Sequence, residues 1–119
     1  MKKVFVVDDE KDVLILYKKY LELAGFSVID TATNGKEALD KLSKIEEKPD
    51  LIIMDYKMPI MNGIVATRKI KKLYPNSKII MVSADSSIRD EAILCGVLGF
   101  VKKNSSFKHL ISKILSLLD

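Results

Sequence analysis

The chain has 119 residues, 48% hydrophobic and 30% charged, a size and balance that suit one domain with one core over residues 1–119. Its net charge of +4 is too mild to mark a nucleic-acid binder, and no helix-turn-helix, zinc finger or aromatic RNA platform is visible. Apolar runs of four or five residues exclude membrane insertion through a spanning helix, and Asp8, Asp9 and Glu10 interrupt the first run before it can form a signal peptide, so a cytoplasmic chain is expected.

The first strand is expected over residues 3–7, and the first helix over 11–24, with Val13, Leu14, Tyr17, Leu21 and Ala24 at helical spacing and Gly25 as its stop. A second strand follows at 27–30. Asn34 and Glu37 have the spacing of a capping box for a helix that turns Ala38, Leu39, Leu42 and Ile45 inward. The third strand, 51–54, is continuously apolar, as strands buried on both faces are. A helix over 63–73 is ended by Pro75, with Ala66, Ile70 and Leu73 on its inner side. A strand at 78–82, a helix at 87–95 closed by Gly96, and a strand at 99–102 complete the alternation. The last helix begins near Ser105 or Ser106 and carries Phe107, Leu110, Ile111, Ile114, Leu115 and Leu118 on one stripe.

Five β-α units predict an α/β protein with a parallel sheet. Right-handed crossovers bring all strand C-termini to one edge, where open sheets bind ligands. Four of the five strands end in polar chemistry there: Asp8 and Asp9, Asp55, Ser83, and Lys102 with Lys103; only Val28-Ile29 does not. Three converging carboxylates repel one another, so one must protonate or a cation must join them. Oxygen ligands without Cys or His favour a hard cation, Mg2+ above all, with Mn2+ as an alternative. One carboxylate beside an ammonium and a hydroxyl is the set that phosphorylation of an aspartate requires.

Residues 6–10 (VVDDE), 53–63 (IMDYKMPIMNG), 81–84 (MVSA) and 96–103 (GVLGFVKK) together resemble the CheY-like receiver domain of bacterial and archaeal two-component response regulators, in order and over the whole chain. That resemblance implies a single doubly wound, five-stranded parallel sheet of order 2-1-3-4-5 with five helices, the flavodoxin-like arrangement. It implies that Asp55 is the phosphoacceptor. It also implies that Asp9, Asp55 and the backbone carbonyl of Lys57 hold Mg2+ directly, and that Asp8 holds it through water. Ser83 takes the place of the hydroxyl that follows the phosphoryl group. Lys103 rather than Lys102 takes that of the phosphate-pairing lysine, being seven residues after Gly96 and three after Phe100.

The implied role is a stand-alone phosphoacceptor that catalyses its own phosphorylation and dephosphorylation, with no enzymatic turnover of a separate substrate. Its donor would be a sensor histidine kinase or phosphotransfer protein, docked near the first helix through Val13, Leu16 and Tyr17 and near Asn104. A downstream protein would read the face of helix four, strand five and helix five, where Leu94, Leu98, Phe100 and Lys102 are candidates. Ser83 and Phe100 form the candidate switch. Lys57 and Asp85, each two residues beyond a site residue, are expected at the rim, pairing with each other or shielding the acyl phosphate.

Two departures stand out. Asn104 follows Lys103 where the family usually has proline, often after a cis bond, which costs about 2.5–4 kcal/mol before other residues. Phe100 replaces a frequent tyrosine. A phosphorylation-independent binding module on the same scaffold is the alternative reading. A phosphatase of the aspartate-nucleophile type would need an acid at Lys57, and a flavin carrier would not tolerate the acidic loop after strand one. Cys95 reads as a small buried side chain more readily than a redox group, His109 as a surface residue, and the cluster Arg68, Lys69, Lys71 and Lys72 as a solvated helix face.

Overall fold

Side-chain alternation along the strands divides the core in two. Val4, Val6, Ile53, Ile80, Val82 and Val101 face one side of the sheet, while Phe5, Val7, Ile52, Met54, Ile79 and Met81 face the other; all are buried. The computed structural model describes residues 2–103 and 106–118. The elements are β1 (Lys3–Val7), α1 (Lys11–Leu23), β2 (Ser27–Ala32), α2 (Gly35–Lys44), β3 (Leu51–Asp55), α3 (Gly63–Leu73), β4 (Ile79–Ser83), α4 (Arg89–Leu94), β5 (Gly99–Lys102) and α5 (Phe107–Leu118). The five strands are parallel in the order β2-β1-β3-β4-β5, the expected doubly wound sheet. Leu14, Tyr17 and Leu21 of α1 and Leu110, Ile111 and Ile114 of α5 cover one face. Ala38 and Leu42 of α2, Ala66 and Ile70 of α3, and Ala92 of α4 cover the other. Among the described residues no helix is long and apolar enough to cross a membrane.

The elements depart from the sequence expectations where local hydrogen bonds override apolar periodicity. β2 continues to Ala32 because the ladder pairs Val7 with Ala32, and the Asp8 N–H then donates to the Ala32 carbonyl at 3.0 Å. The helix expected at 87–95 is broken: Asp85 accepts from the Ser87 N–H at 2.9 Å and caps a 3₁₀ turn, Ser86–Ile88, before the six-residue α4. Only half of the expected capping box forms. Asn34 accepts from the Glu37 N–H at 2.8 Å, but the Glu37 carboxylate turns to the N–H and hydroxyl of Thr33, at 3.3 and 3.2 Å. α1 stops before Ala24, which is exposed, and Gly25 takes the left-handed φ of +94° that a helix stop favours. Leu73, expected inside, is 62% exposed in the last turn of α3. α5 starts at Phe107, with the Ser106 hydroxyl accepting from the His109 N–H at 3.2 Å; Ser105 and the Lys103–Asn104 bond lie outside the described residues. Cys95 is half-buried, its thiol donating to the Ala92 carbonyl at 3.0 Å, and His109 is exposed.

α3 sets the height of β3's end. Asn62 caps it by accepting from the Val65 N–H at 2.9 Å, and Gly63 donates to the Tyr56 carbonyl at 2.8 Å. A Cβ on Gly63 would collide with the Asp55 carbonyl oxygen. Gly63→Ala is therefore expected to lower stability by about 2–3 kcal/mol, read as a fall in the urea midpoint at unchanged m-value. An undiminished midpoint would show that α3 does not need this close approach.

Candidate functional site

A sheet ending in one row of loops makes a trough, and the strand ends here line an open cleft of about 700 Å³. Its walls are Asp9, Glu10 and Val13 after β1, Asp55, Tyr56 and Lys57 after β3, Ser83, Ala84 and Asp85 after β4, and Lys103 after β5. Asp8, Asp9 and Asp55 each offer a carboxylate oxygen, all within 4.8 Å of one another. Side chains separated by nearly fifty residues in sequence thus meet at one point because β1 and β3 are neighbours in the sheet. The group is oxygen-only, clustered and partly open to solvent, which fits a hard divalent cation.

The two acids after β1 differ. Asp8 is 1% exposed and both its oxygens are engaged: one accepts from the Glu10 N–H at 2.9 Å, the other from the Lys103 ammonium at 2.6 Å. Asp9 is exposed, with its carboxylate at the cleft. Lys103 also lies 3.7 Å from Asp55, so one ammonium bridges two carboxylates. Lys102, by contrast, pairs with Ser83 in the ladder and is exposed on the other side of the strand. The Lys103 N–H donates to the Ser83 carbonyl at 2.8 Å, which fixes the backbone on which the lysine stands. Ser83 is buried, and its hydroxyl oxygen accepts from the Asp85 N–H at 3.0 Å, leaving its proton free to donate.

Asp55 closes β3 with 7% of its surface exposed. Its pKa is raised from 3.8 to about 7. Burial is the largest cause; the Lys103 charge opposes it, Asp8 and Asp9 reinforce it, and the Tyr56 N–H, donating to Asp55 at 3.0 Å, opposes it again. Lys103 is held above the usual lysine value. Burial works against its charge, but the Asp8 hydrogen bond and the charges of Asp55, Asp8 and Glu10 outweigh it.

Lys57 and Asp85 both line the rim as expected, but their pairing and the docking role of Tyr17 need correction. Among the described residues no ion pair joins Lys57 to Asp85. Asp85 is spent locally as the 3₁₀ cap, and the hydroxyl and N–H of Ser87 hold its pKa below the usual carboxylate value. Lys57 lines the cleft unpaired by any of these bridges. Tyr17, expected at a docking surface, is 2% exposed in the core, whereas Ile15 and Leu16 are the exposed apolar side chains of that stretch. Phe100 is half-buried against the α4 side of the core, and Leu94 and Leu98 are exposed beside it. The Tyr56 N–H and Glu10 join the site without a motif of their own; their adjacency to Asp55 and Asp9 is the signal the sequence offers.

Residues 4–115 match the response regulator receiver domain. The chain is 41% identical over 104 residues to chemotaxis protein CheY of Thermotoga maritima, covering 86% of this chain and 85% of that one. To chemotaxis protein CheY of Bacillus subtilis it is 37% identical over 103 residues, 85% and 84% of the two chains. Among solved structures, the response regulator TrrA of Thermotoga maritima in complex with Mg2+-BeF superposes with a TM-score of 0.85 at 35% identity, covering 98% of this chain and 99% of that one. CheY in the CheX-CheY-BeF3-Mg2+ complex of Borrelia burgdorferi gives 0.91 at 26% identity, covering 99% and 90%.

The raised pKa of Asp55 fixes a pH dependence. Below pH 3.8 both folded and unfolded states hold its proton; between 3.8 and about 7 only the unfolded state ionises, so stability falls as pH rises through that window and then levels. In chelator, Asp55→Asn is expected to flatten this slope and to stabilise the protein at pH 7.5 by about 1–3 kcal/mol, measured by thermal unfolding. An equally steep slope in the variant would place the titrating group elsewhere.

Proposed function

The chain belongs to the response regulator receiver domain family, and on that footing we propose that it is a Mg2+-dependent phosphoacceptor, taking a phosphoryl group from a phosphohistidine onto Asp55. The observation that carries this reading is the convergence of Asp9, Asp55, Ser83 and Lys103 on one cleft, with Asp8 behind them. Bound Mg2+ (or Mn2+) would supply the positive charge that lets the three acids ionise together and would offset charge on the phosphoryl group. Asp9 and Asp55, with the Lys57 carbonyl, would hold it directly, and Asp8 through water.

The chain's own residues supply the rest. An Asp55 oxygen attacks phosphorus; its P–O bond forms as the P–N bond to the donor histidine breaks, and the electron pair leaves with the imidazole. Lys103, already beside Asp55, is placed to pair with a phosphoryl oxygen, and the Ser83 hydroxyl to donate to another. No separate substrate is turned over. Phosphorylation adds about −1.5 to −2 charge at the cleft. Ser83 and Phe100 stand between that charge and the outer face, where Ile93, Leu94 and Leu98 are exposed beside β5. A downstream protein would read this face, and the donor kinase or phosphotransfer protein would dock beside the exposed Ile15 and Leu16 of α1. The same reading sets the protein in the cytoplasm, where its phosphodonors act.

Incubation with a small phosphodonor and Mg2+ is expected to add one phosphate by intact mass, and to add none to Asp55→Asn. Mg2+ alone is expected to raise the thermal midpoint of the wild type and leave that of Asp55→Asn nearly unmoved. A wild type that gains no mass would favour the phosphorylation-independent binding module instead. Lys57, which lines the cleft and has no ion pair among the described residues, would shield the acyl phosphate from water; Lys57→Asn is expected to shorten the phosphoryl lifetime severalfold, followed by loss of the phosphate mass over time.

A further inference from the structure

Asp55 is buried at the end of β3, so a phosphodonor attacked by it in line must turn its leaving group toward the mouth of the cleft. Acceptors for that group are few there. Asp9 stands with Asp8 and Asp55 as a candidate cation ligand, Asp85 caps the 3₁₀ turn, and the Lys57 ammonium has only protons to offer. Glu10 is the remaining acid of the cleft wall, exposed to solvent and outside the group of three that could share an ion. Its backbone is held on both sides: the N–H donates to Asp8 at 2.9 Å, and the carbonyl accepts from the N–H groups of Val13 and Leu14 at 3.0 and 3.1 Å. Glu10 occupies the N-cap of α1, where Ser, Thr, Asp or Asn would turn a side-chain oxygen onto the helix. The Glu10 carboxylate makes no such bond and enters no ion pair among the described residues. Its charge nonetheless reaches the site, since it is one of those that hold Lys103 above the usual lysine value. Val13, three residues on along the same side of α1, gives the adjoining wall an apolar surface on which a flat ring can lie.

We infer that Glu10 is a further catalytic residue, a carboxylate at the cleft mouth that accepts the N–H of the donor's leaving imidazole. A protonated phosphohistidine carries the phosphoryl group on one ring nitrogen and a proton on the other. A carboxylate beside that proton keeps it on the ring. The Asp55 oxygen then forms the new O–P bond while the P–N bond breaks, its electron pair passes to the ring nitrogen, and the ring departs as neutral imidazole with its proton still in place. Without that proton the ring would have to leave as an anion. The same carboxylate repels a donor whose leaving group is itself an anion. Glu10 thus favours donors with a nitrogen leaving group that bears an N–H. The inference deepens the phosphoacceptor reading and rests on it.

The test compares two small donors by the rate of mass gain with saturating Mg2+: phosphoimidazole, whose leaving ring has a second nitrogen, and acetyl phosphate, which leaves as acetate. Glu10→Gln, which keeps the shape and removes the charge, is expected to react about tenfold more slowly with phosphoimidazole and to lower the ratio of the two rates by a similar factor. The side chain is exposed and caps nothing, so the variant is expected to fold. Glu10→Ala, which removes the acceptor altogether, is expected to lower the ratio at least as far. Equal slowing with both donors would assign Glu10 to the metal or the phosphoryl group and overturn the inference. So would a ratio that falls only because acetyl phosphate reacts faster, or one that does not fall. Each of these outcomes leaves the phosphoacceptor reading intact, whereas a wild type that gains mass from neither donor overturns both.

Discussion

Three carboxylates and one ammonium share a space only a few ångströms across, and folding has to bear their mutual repulsion and desolvation. Two like charges 4 Å apart repel by about 4 kcal/mol at an effective dielectric of 20. Lys103 answers part of this by bridging Asp8 and Asp55, and Asp55 answers the rest by holding its proton to a pH near 7. A cation among these acids would relieve the repulsion, because it would add the positive charge that the chain lacks. A hard ion held there would offset the same repulsion that costs the fold stability.

Everything around that point keeps it in place. The sheet is buried on both faces, so the strand ends cannot slide: a one-residue slip would exchange the α1-α5 core for the α2-α3-α4 core. Gly63 lets α3 press against the Asp55 carbonyl, and Asn62 caps the helix there. Between them and the cleft, the Met61 N–H donates to the Pro59 carbonyl at 2.7 Å around Ile60, which has φ of +69°. That is a γ-turn centred on a β-branched residue, a conformation that costs of order 1–3 kcal/mol. Local strain of this kind is tolerated because the flanking β3 and α3 leave the loop no slack.

The loops that carry chemistry sit where the two layers of helices meet the sheet edge. α1 and α5 cover one face of the sheet and α4 the other, while β4 gives side chains to both. Asp55 and Lys103 stand at the ends of β3 and β5 between these layers. Asp85 illustrates the economy of the β4 side: its carboxylate caps the 3₁₀ turn while its N–H binds Ser83, tying the hydroxyl of the site to the start of α4.

Local patterns in the sequence determined the strands, the helices and the acids, hydroxyl and lysine at their ends. Continuous apolar runs, Gly25, Gly96, Asn34 and Pro75 act over a few residues and are legible there. Tertiary structure decided what depends on distant partners. Asp8 rather than Asp9 receives the lysine, because the loop turns one acid inward at the Glu10 N–H. Asp85 caps a turn instead of meeting Lys57, because the nearer Ser87 donors satisfy it first. Tyr17 is core and Leu73 is surface, because burial follows what packs opposite a helix and not its period alone. Sequence fixes which groups exist and roughly where each element ends; only packing fixes which of them meet, since a hydrogen bond or ion pair is settled over tenths of an ångström that no spacing of letters encodes.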